Sequence, residues 1–282
     1  MTAATDSLVV TDLRVEFDGF VAVGGVSFDA HPGEVRFLIG PNGAGKTTCI
    51  DAITGLSKGS GSVKLGDQEL LGKAVNKIVR LGVGRTFQTA TVFEQLSVLQ
   101  NLDIAAGLHR SSFSLLRARR GVDPAIERAL EETGLSGERE TPAGILSHGQ
   151  KQWLEIGMML VQEPRALLLD EPVAGMSQDE RTATGELLQR IAQRRIVLVV
   201  EHDMDFMRRY ASRVTVLHQG KVLSEGTVAQ VQADPKVQEV YLGTAGAATT
   251  AAMLVVADAG ADETTAVTDA DADVALSQGT GA

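Results

Sequence analysis

The stretch from Gly40 to Thr48, which reads GPNGAGKTT, restricts the possible folds of this chain more than any other. It carries the spacing Gly-x-x-x-x-Gly-Lys-Thr of a phosphate-binding loop, between an apolar run and a segment of helical character. Glycines let backbone N–H groups approach a phosphate closely, and the N-terminus of the next helix adds a favourable dipole. Lys46 can reach the β- and γ-phosphates of a nucleotide, and the Thr47 hydroxyl can ligate Mg²⁺. The simpler alternative is an ordinary glycine turn before a helix. We predict that a nucleotide binds to Gly40, Pro41, Asn42, Gly43, Ala44, Gly45, Lys46, Thr47 and Thr48.

Two further apolar runs end in polar residues. Ala166–Leu169 is followed by Asp170 and Glu171, and Ile196–Val200 is followed by Glu201 and His202. Open α/β sheets bind ligands at the carboxyl ends of their strands. We therefore expect Asp170 to hold Mg²⁺ together with the loop threonine, Glu171 to orient an attacking water, and His202 to contact a phosphate or water. The alternatives are an acidic turn and a structural histidine. The neighbours of His202, Glu201 and Asp203, are interpreted as loop carboxylates.

The segment LSHGQ, residues 146–150, predicts the start of an amphipathic helix. Ser147 and Gln150 have the S-x-x-Q spacing of a capping box. Apolar side chains follow on one face at helical periodicity: Trp153, Leu154, Met158 and Val161. A capped helix N-terminus with serine and glycine is also an anion site, so a structural and a functional interpretation both remain open here.

The order of the remaining segments predicts an α/β fold. Leu8–Phe17 and Val26–Ala30 are expected to form an antiparallel layer, with turns at Asp18–Gly19 and Gly24–Gly25. Apolar strands between helices after Val161 predict a parallel sheet buried on both faces. We divide the chain into an α/β core (residues 1–88 and 162–243), a helical subdomain (89–161, with candidate helices at Leu99–Leu108, Leu115–Arg120 and Pro124–Thr133) and a disordered acidic tail (244–282).

Composition excludes several classes of protein. The net charge is −10, and the tail holds six acidic and no basic residues, so an extended nucleic-acid interface is not expected. No uncharged apolar run approaches the ~18 residues of a membrane span, and residues 1–7 do not resemble a signal peptide. We expect membrane contact only through a partner. Cys49, the single cysteine, is interpreted as a buried residue in a reducing compartment.

Together these motifs resemble the ATP-binding cassette (ABC) family over residues 8–243. The resemblance implies an α/β P-loop NTPase (RecA-like) core with a mostly parallel sheet, an N-terminal antiparallel β layer and an inserted α-helical subdomain. It also implies ATP and Mg²⁺ as cofactors, with Lys46, Glu171, His202 and Gln88 as catalytic residues. Thr47, Asp170 and Gln88 are the implied metal residues, Gln88 lying in the segment GRTFQ that senses Mg²⁺ and faces a transmembrane partner.

The same resemblance assigns further residues to ATP. Phe17 matches the aromatic residue that stacks on adenine, with Phe20 as a second candidate. Ser147, Gly149 and Gln150 match the family signature LSGGQ, which binds the γ-phosphate of ATP held by an opposing subunit. The chain departs from the family at His148, which replaces a glycine, and at Ser177, where many cassettes carry Asp.

Subfamily features narrow the resemblance to importers. DEPVAGMS and VYLG look like the branched-chain amino acid and amide group, and LSHGQKQWLEIGM, with Trp153 in place of the usual Arg, is similar to the ATP-binding subunit of urea importers. The expectation is therefore an ATP-hydrolysing subunit that energises urea uptake, with branched-chain amino acids or short amides as the alternative. The implied partners are transmembrane permease subunits, a second and different ABC ATPase subunit, and, indirectly, an extracytoplasmic substrate-binding protein, with no nucleic acid.

The implied location is peripheral, on the cytoplasmic face of the cell membrane. Two other hypotheses stand beside the importer. A soluble cassette protein of translation or DNA repair is disfavoured by the single cassette and the lack of sustained heptads. A degenerate subunit that binds ATP without hydrolysing it is disfavoured by intact Lys46, Asp170, Glu171 and His202.

Overall fold

The computed structural model describes residues 7–86, 91–107 and 122–244. Gln88, the helix predicted over Leu115–Arg120 and the tail beyond Thr244 lie outside the described residues. Of the elements that are described, strands form two sheets and helices fill both sides of the larger one.

The smaller sheet is antiparallel and has the strand order β2-β1-β4-β5. Its strands are β1 (Leu8–Phe17), β2 (Phe20–Ala30), β4 (Ser60–Leu65) and β5 (Gln68–Glu69). The predicted Asp18–Gly19 turn is confirmed: both residues have positive φ, 47° and 85°, as a two-residue type I′ hairpin requires. The turn predicted at Gly24–Gly25 is wrong, because β2 runs through both glycines and its register with β1 shifts near them, as glycine in a strand often indicates.

The larger sheet has the order β10-β9-β3-β8-β7-β6 and is parallel except for β10. Its strands are β3 (Val35–Ile39), β6 (Val83–Arg85), β7 (Ala166–Asp170), β8 (Ile196–Val200), β9 (Arg213–His218) and β10 (Lys221–Gly226). Sequence patterns did not predict β10, because only two of its residues are strongly apolar. It is an edge strand, held to β9 by a turn at Gln219–Gly220 with φ of 49° and 73°.

The helices are α1 (Lys46–Ile53), α2 (Val75–Arg80), α3 (Val98–Ala106), α4 (Pro124–Thr133), α5 (His148–Leu160), α6 (Gln178–Ala192), α7 (Met204–Tyr210), α8 (Val228–Ala233) and α9 (Pro235–Thr244). Helices α3, α4 and α5 pack together and fall within the stretch predicted to be helical. Among the described residues, no helix is both long enough and apolar enough to cross a bilayer.

Neighbouring residues of the central strands face opposite sides of the sheet. Leu38, Leu168 and Leu198 pack with α1 and the smaller sheet, whereas Phe37 and Val197 pack with the helices of the other side. All five side chains are inaccessible to solvent. The apolar runs in the sequence therefore reflect strands that are covered on both faces.

Helix α1 lies between the two sheets, and its cysteine is part of that core. Cys49 is fully buried, and burial raises the pKa of its thiol to about 12. The prediction of a buried cysteine is confirmed.

Arg36, the second residue of β3, is a charged residue in an otherwise apolar strand. It is 1% exposed and its guanidinium pairs with Glu225 at 2.9 Å and with Glu34 at 3.5 Å. Its Nη1 also donates to the Thr215 hydroxyl at 2.9 Å. A buried charge is tolerated only when it is paired, so this cluster ties β3 to the edge strand β10.

Arg36→Ala is expected to lower the free energy of unfolding by about 3 kcal/mol, because it leaves carboxylates without their buried cation. Urea denaturation of the purified chain measures this change. The matched control is Arg213→Ala, which removes an exposed arginine from the same Glu225 carboxylate and should cost less than about 1 kcal/mol. Equal losses in the two variants would contradict a structural role for burial of the charge.

Candidate nucleotide-binding and hydrolysis site

The loop between β3 and α1 is packed so closely against its neighbours that two of its positions accept only glycine. Gly40 has a φ of 152°, and a Cβ there would lie 2.2 Å from the carbonyl oxygen of Leu217. Gly45 has a φ of 97°, and a Cβ there would lie 2.6 Å from the carbonyl oxygen of Ala22. Strands β9 and β2 therefore determine the position of the loop.

The β9–β10 turn also contacts the phosphate-binding loop, through backbone hydrogen bonds. The Gly220 N–H donates to the Ala44 carbonyl at 3.0 Å, and the Gly220 carbonyl accepts from the Gly24 N–H at 2.7 Å. Sequence reasoning missed this support, because it joins residues far apart in the chain and depends on the unpredicted strand β10.

A cleft of about 330 Å³ opens over the loop. It is lined by Asn42–Thr48 together with Phe20, Ala22, Glu171 and Val200. The first N–H groups of α1 have no acceptor within the helix, so they are available to an anion in the cleft. Of the two aromatic candidates for adenine, Phe20 lines the cleft. Phe17 is the cross-strand partner of Phe20 on β1 and is not among the described residues that line the cleft.

Lys46 is folded against its own loop. Its Nζ donates to the carbonyl oxygens of Gly40 at 2.7 Å and Pro41 at 3.2 Å, and the residue is 9% exposed. Burial lowers the pKa of the Lys46 ammonium, and the carboxylates of Glu171 and Asp170 oppose this shift. The three predicted residues are therefore close enough to interact electrostatically.

Asp170 ends β7 as a buried carboxylate. Burial raises its pKa, Arg85 counteracts this from 3.8 Å, and Glu171 adds to it. Its backbone N–H donates to the buried Thr86 hydroxyl at 3.1 Å. Mg²⁺ prefers oxygen ligands such as carboxylates and hydroxyls. The Asp170 carboxylate and the exposed Thr47 hydroxyl follow strands of the same sheet, β7 and β3, at their carboxyl ends, so these two residues fit a magnesium site.

Sequence reasoning missed Arg85, although it lies in the GRTFQ segment three residues before Gln88. Its guanidinium also pairs with Asp51 on α1 and donates to the Thr54 hydroxyl at 3.1 Å. Arg85 thereby connects the helix of the phosphate-binding loop to the carboxylate at the end of β7.

Glu171 has a backbone conformation that is rare for its residue type. Its φ is 51°, in the left-handed region, and its N–H donates to the Val200 carbonyl at 2.9 Å. Its Oε1 lies 3.2 Å from Nδ1 of His202, which is largely exposed. A strained non-glycine residue held by its surroundings is typical of functional sites. The two residues predicted for hydrolysis are thus brought together.

Glu201 lies in the loop between β8 and α7, as predicted, but its side chain is buried, with only 1% exposed. It accepts backbone N–H groups from Val173 at 3.2 Å, His202 at 3.0 Å and Asp203 at 3.3 Å. Burial raises its pKa, and these donors oppose the rise. The sequence does not indicate whether the side chain of a carboxylate that follows a strand is buried or exposed.

The predicted capping box at the start of α5 is confirmed. The Gln150 N–H donates to the Ser147 hydroxyl oxygen at 3.2 Å, and the Ser147 N–H donates to Gln150 Oε1 at 3.0 Å. Ser147, Gly149 and Gln150 are not among the described residues that line the cleft. One subunit therefore does not bring the LSHGQ segment to its own phosphate-binding loop.

Fold and loop together define a class of protein: this chain belongs to the ABC transporter family, as an ATPase. The family model for ABC transporter matches residues 23–174, and a model for branched-chain amino acid ATP-binding cassette transporter matches residues 221–247. The fold predicted from the sequence, a P-loop α/β core with an antiparallel layer, is confirmed.

Particular relatives are similar over most of the chain. The high-affinity branched-chain amino acid transport ATP-binding protein LivG of Escherichia coli (strain K12) is 36% identical over 250 residues, which cover 84% of this chain and 98% of LivG. The protein of the same description named BraF, from Pseudomonas aeruginosa, is 35% identical with the same coverage. The crystal structure of an ABC transporter's ATP-binding cassette in its ADP conformation superimposes with a TM-score of 0.73 at 30% identity, covering 84% of this chain and 98% of that one.

Arg85→Met is expected to move the acidic limb of the ATPase pH profile to higher pH by about one unit, because Asp170 loses an opposing charge. Burial already raises the pKa of Asp170, removal of Arg85 raises it further, and only the ionised carboxylate holds a cation well. The measurement is the hydrolysis rate between about pH 5 and 9.

Arg85→Lys keeps the charge and should shift the limb less, and Arg80→Met on the exposed surface of α2 should not shift it. An unshifted limb in Arg85→Met would contradict the electrostatic role of Arg85.

Proposed function

We propose that this chain binds and hydrolyses ATP as the energy-converting subunit of an importer. The observation that carries the proposal is the grouping of Glu171 with Lys46 and Thr47 on one cleft, with His202 3.2 Å from the Glu171 carboxylate. The relatives LivG and BraF, each matched over 98% of its own length, support the same activity.

In the proposed site the loop backbone and Lys46 hold the β- and γ-phosphates. Either Phe17, the family match, or Phe20, which lines the cleft, stacks on adenine. Thr47 and Asp170, with Gln88 as a third candidate, hold Mg²⁺, which neutralises charge on the phosphates when it is bound. Their oxygen donors are of the type that Mg²⁺ prefers.

Glu171 is the residue we assign to the attacking water. Its partly exposed carboxylate can accept a hydrogen bond from that water, and His202 keeps the carboxylate oriented from 3.2 Å. Glu171 follows β7 with a φ of 51°, and its side chain lines the cleft.

A second subunit completes the site in this proposal. Ser147, Gly149 and Gln150 lie at the N-terminus of α5, away from the chain's own cleft, and are assigned to the γ-phosphate of ATP held by the opposing cassette. The site then has two halves, and the dissimilar second cassette expected from the sequence is one source of the other half.

For the transported solute we propose branched-chain amino acids in preference to urea. The relatives LivG and BraF carry that description, and so does the family model that matches the end of the cassette. Trp153, which favoured urea in the sequence, donates from Nε1 to the Thr184 hydroxyl of α6 at 2.8 Å. That contact joins two helices of this chain, and it carries no information about a solute.

The proposed partners follow from an importer's architecture. Transmembrane permease subunits bind the cassette at the cytoplasmic face of the cell membrane, and an extracytoplasmic binding protein delivers the solute to them. Closure of two cassettes around ATP shifts the permease between conformations, and hydrolysis resets it. Nucleic acid has no place in this proposal.

Glu171→Gln is expected to retain ATP binding and to lose at least about a hundredfold in turnover, since the amide cannot accept a proton from the attacking water. Lys46→Ala is expected to lose nucleotide binding itself, because the phosphate charge is no longer offset. A fluorescent-nucleotide titration and a phosphate-release assay separate the two effects. Near-normal hydrolysis in Glu171→Gln would remove that residue from the assigned role.

Deletion of the gene that encodes this chain is expected to abolish the uptake of labelled leucine by cells and to leave their urea uptake unchanged. Complementation with the wild-type chain should restore leucine uptake, and the Glu171→Gln variant, made in similar amounts, should not. The opposite result, lost urea uptake with normal leucine uptake, would replace our substrate assignment with urea.

A further inference from the structure

The carboxylate of Glu180 joins the N-termini of two helices. Within α6 its Oε2 accepts the N–H of Ser177 at 3.0 Å and the Ser177 hydroxyl at 2.9 Å, as part of a capping box. Its other oxygen, Oε1, accepts the Ser147 hydroxyl at 2.7 Å and the Gly149 N–H at 3.1 Å. One side chain therefore caps its own helix and also holds the start of α5.

The two donors that Glu180 takes from α5 are the ones that the proposed function assigns to a phosphate. The Ser147 hydroxyl and the Gly149 N–H each have one proton to donate. The contact is also close, because a Cβ on Gly149 would lie 2.7 Å from Glu180 Oε1. A phosphate oxygen and this carboxylate oxygen cannot occupy the same position, and two anions placed side by side would repel each other.

The carboxylate remains charged under physiological conditions. The Ser147 hydroxyl and then the Ser177 N–H are the main causes that lower the pKa of Glu180 to about 2. Hydrogen bonds to an ionised acceptor are stronger than those to a neutral one. Releasing the Ser147 and Gly149 donors therefore has a free energy cost that an incoming phosphate must offset.

Both departures from the common cassette pattern belong to this junction. His148 donates from Nε2 to the Ala174 carbonyl oxygen at 3.0 Å, so its ring is turned towards the segment between β7 and α6. Ser177 provides the cap that orients Glu180. These residues give the start of α5 two attachments to the β7–α6 segment and α6 in the single subunit.

We propose that Glu180 is an internal competitor for the γ-phosphate of the opposing subunit's ATP. Its carboxylate occupies the Ser147 and Gly149 donors in the separate subunit and leaves them when two cassettes close around ATP. Glu180 thereby raises the ATP concentration that closure requires. This inference rests on the proposed function, which supplies the role of the signature residues.

The test is the ATP dependence of hydrolysis by the full-length chain carrying Glu180→Gln. Glutamine is the other residue found at this capping-box position, so α6 keeps its cap while the negative charge is removed. We expect the half-saturating ATP concentration to fall about threefold, the scale of a solvent-accessible charged contact, with little change in kcat. The matched control is Glu186→Gln, the same change on the exposed face of α6, which should leave both values unchanged.

Thermal melting of the two variants establishes that both are folded. A half-saturating concentration that is unchanged or raised in Glu180→Gln overturns the inference and leaves the proposed function standing. A fall in kcat alone also overturns it, because it means that Glu180 only supports the fold of α6. If the wild-type chain does not hydrolyse ATP, or if its hydrolysis does not depend on Lys46, the proposed function is overturned, and the inference with it.

Discussion

Close backbone contact around the phosphate-binding loop is the constraint on which the remaining structure depends. Gly40 lies against the Leu217 carbonyl and Gly45 against the Ala22 carbonyl, with no room for a side chain. The Gly220 N–H fixes the loop at Ala44. Because strands of both sheets contribute to these contacts, the loop N–H groups are oriented before a nucleotide arrives, and less conformational entropy is lost on binding.

Buried charges provide the second layer of organisation. Lys46 is stabilised by loop carbonyls, Glu201 by backbone N–H groups and Arg36 by carboxylates, and each set of partners offsets the desolvation of the charge. Asp170 has a more distant partner, since Arg85 lies 3.8 Å away, and burial raises the pKa of its carboxyl. This buried carboxylate is the one at the proposed cation site.

Local patterns were sufficient to predict much of this molecule. The loop motif, the strand ends at Asp170 and Val200 and the capping box at Ser147 each depend on residues close in sequence, and the structure has all of them. The failures have two physical origins. The inward turn of Glu201 and the role of Arg85 depend on partners far away in the chain, Val173 and Asp51. The course of β2 through Gly24–Gly25 and the edge strand β10 depend instead on pairing with the preceding strand, where neither the glycines nor the few apolar residues of β10 signal a strand. Periodicity and spacing contain no information about such contacts.

Glu201 has a consequence for how the state of the nucleotide can be transmitted. Its carboxylate is bonded at one oxygen to the segment after Glu171 and at the other to the segment of His202. Asp203, the next residue but one, caps α7 and pairs with Arg181 of α6. Two loops at the proposed γ-phosphate position are therefore joined to α6 and α7 by hydrogen bonds and an ion pair. In the proposed function, these contacts connect a change at the phosphate to both helices.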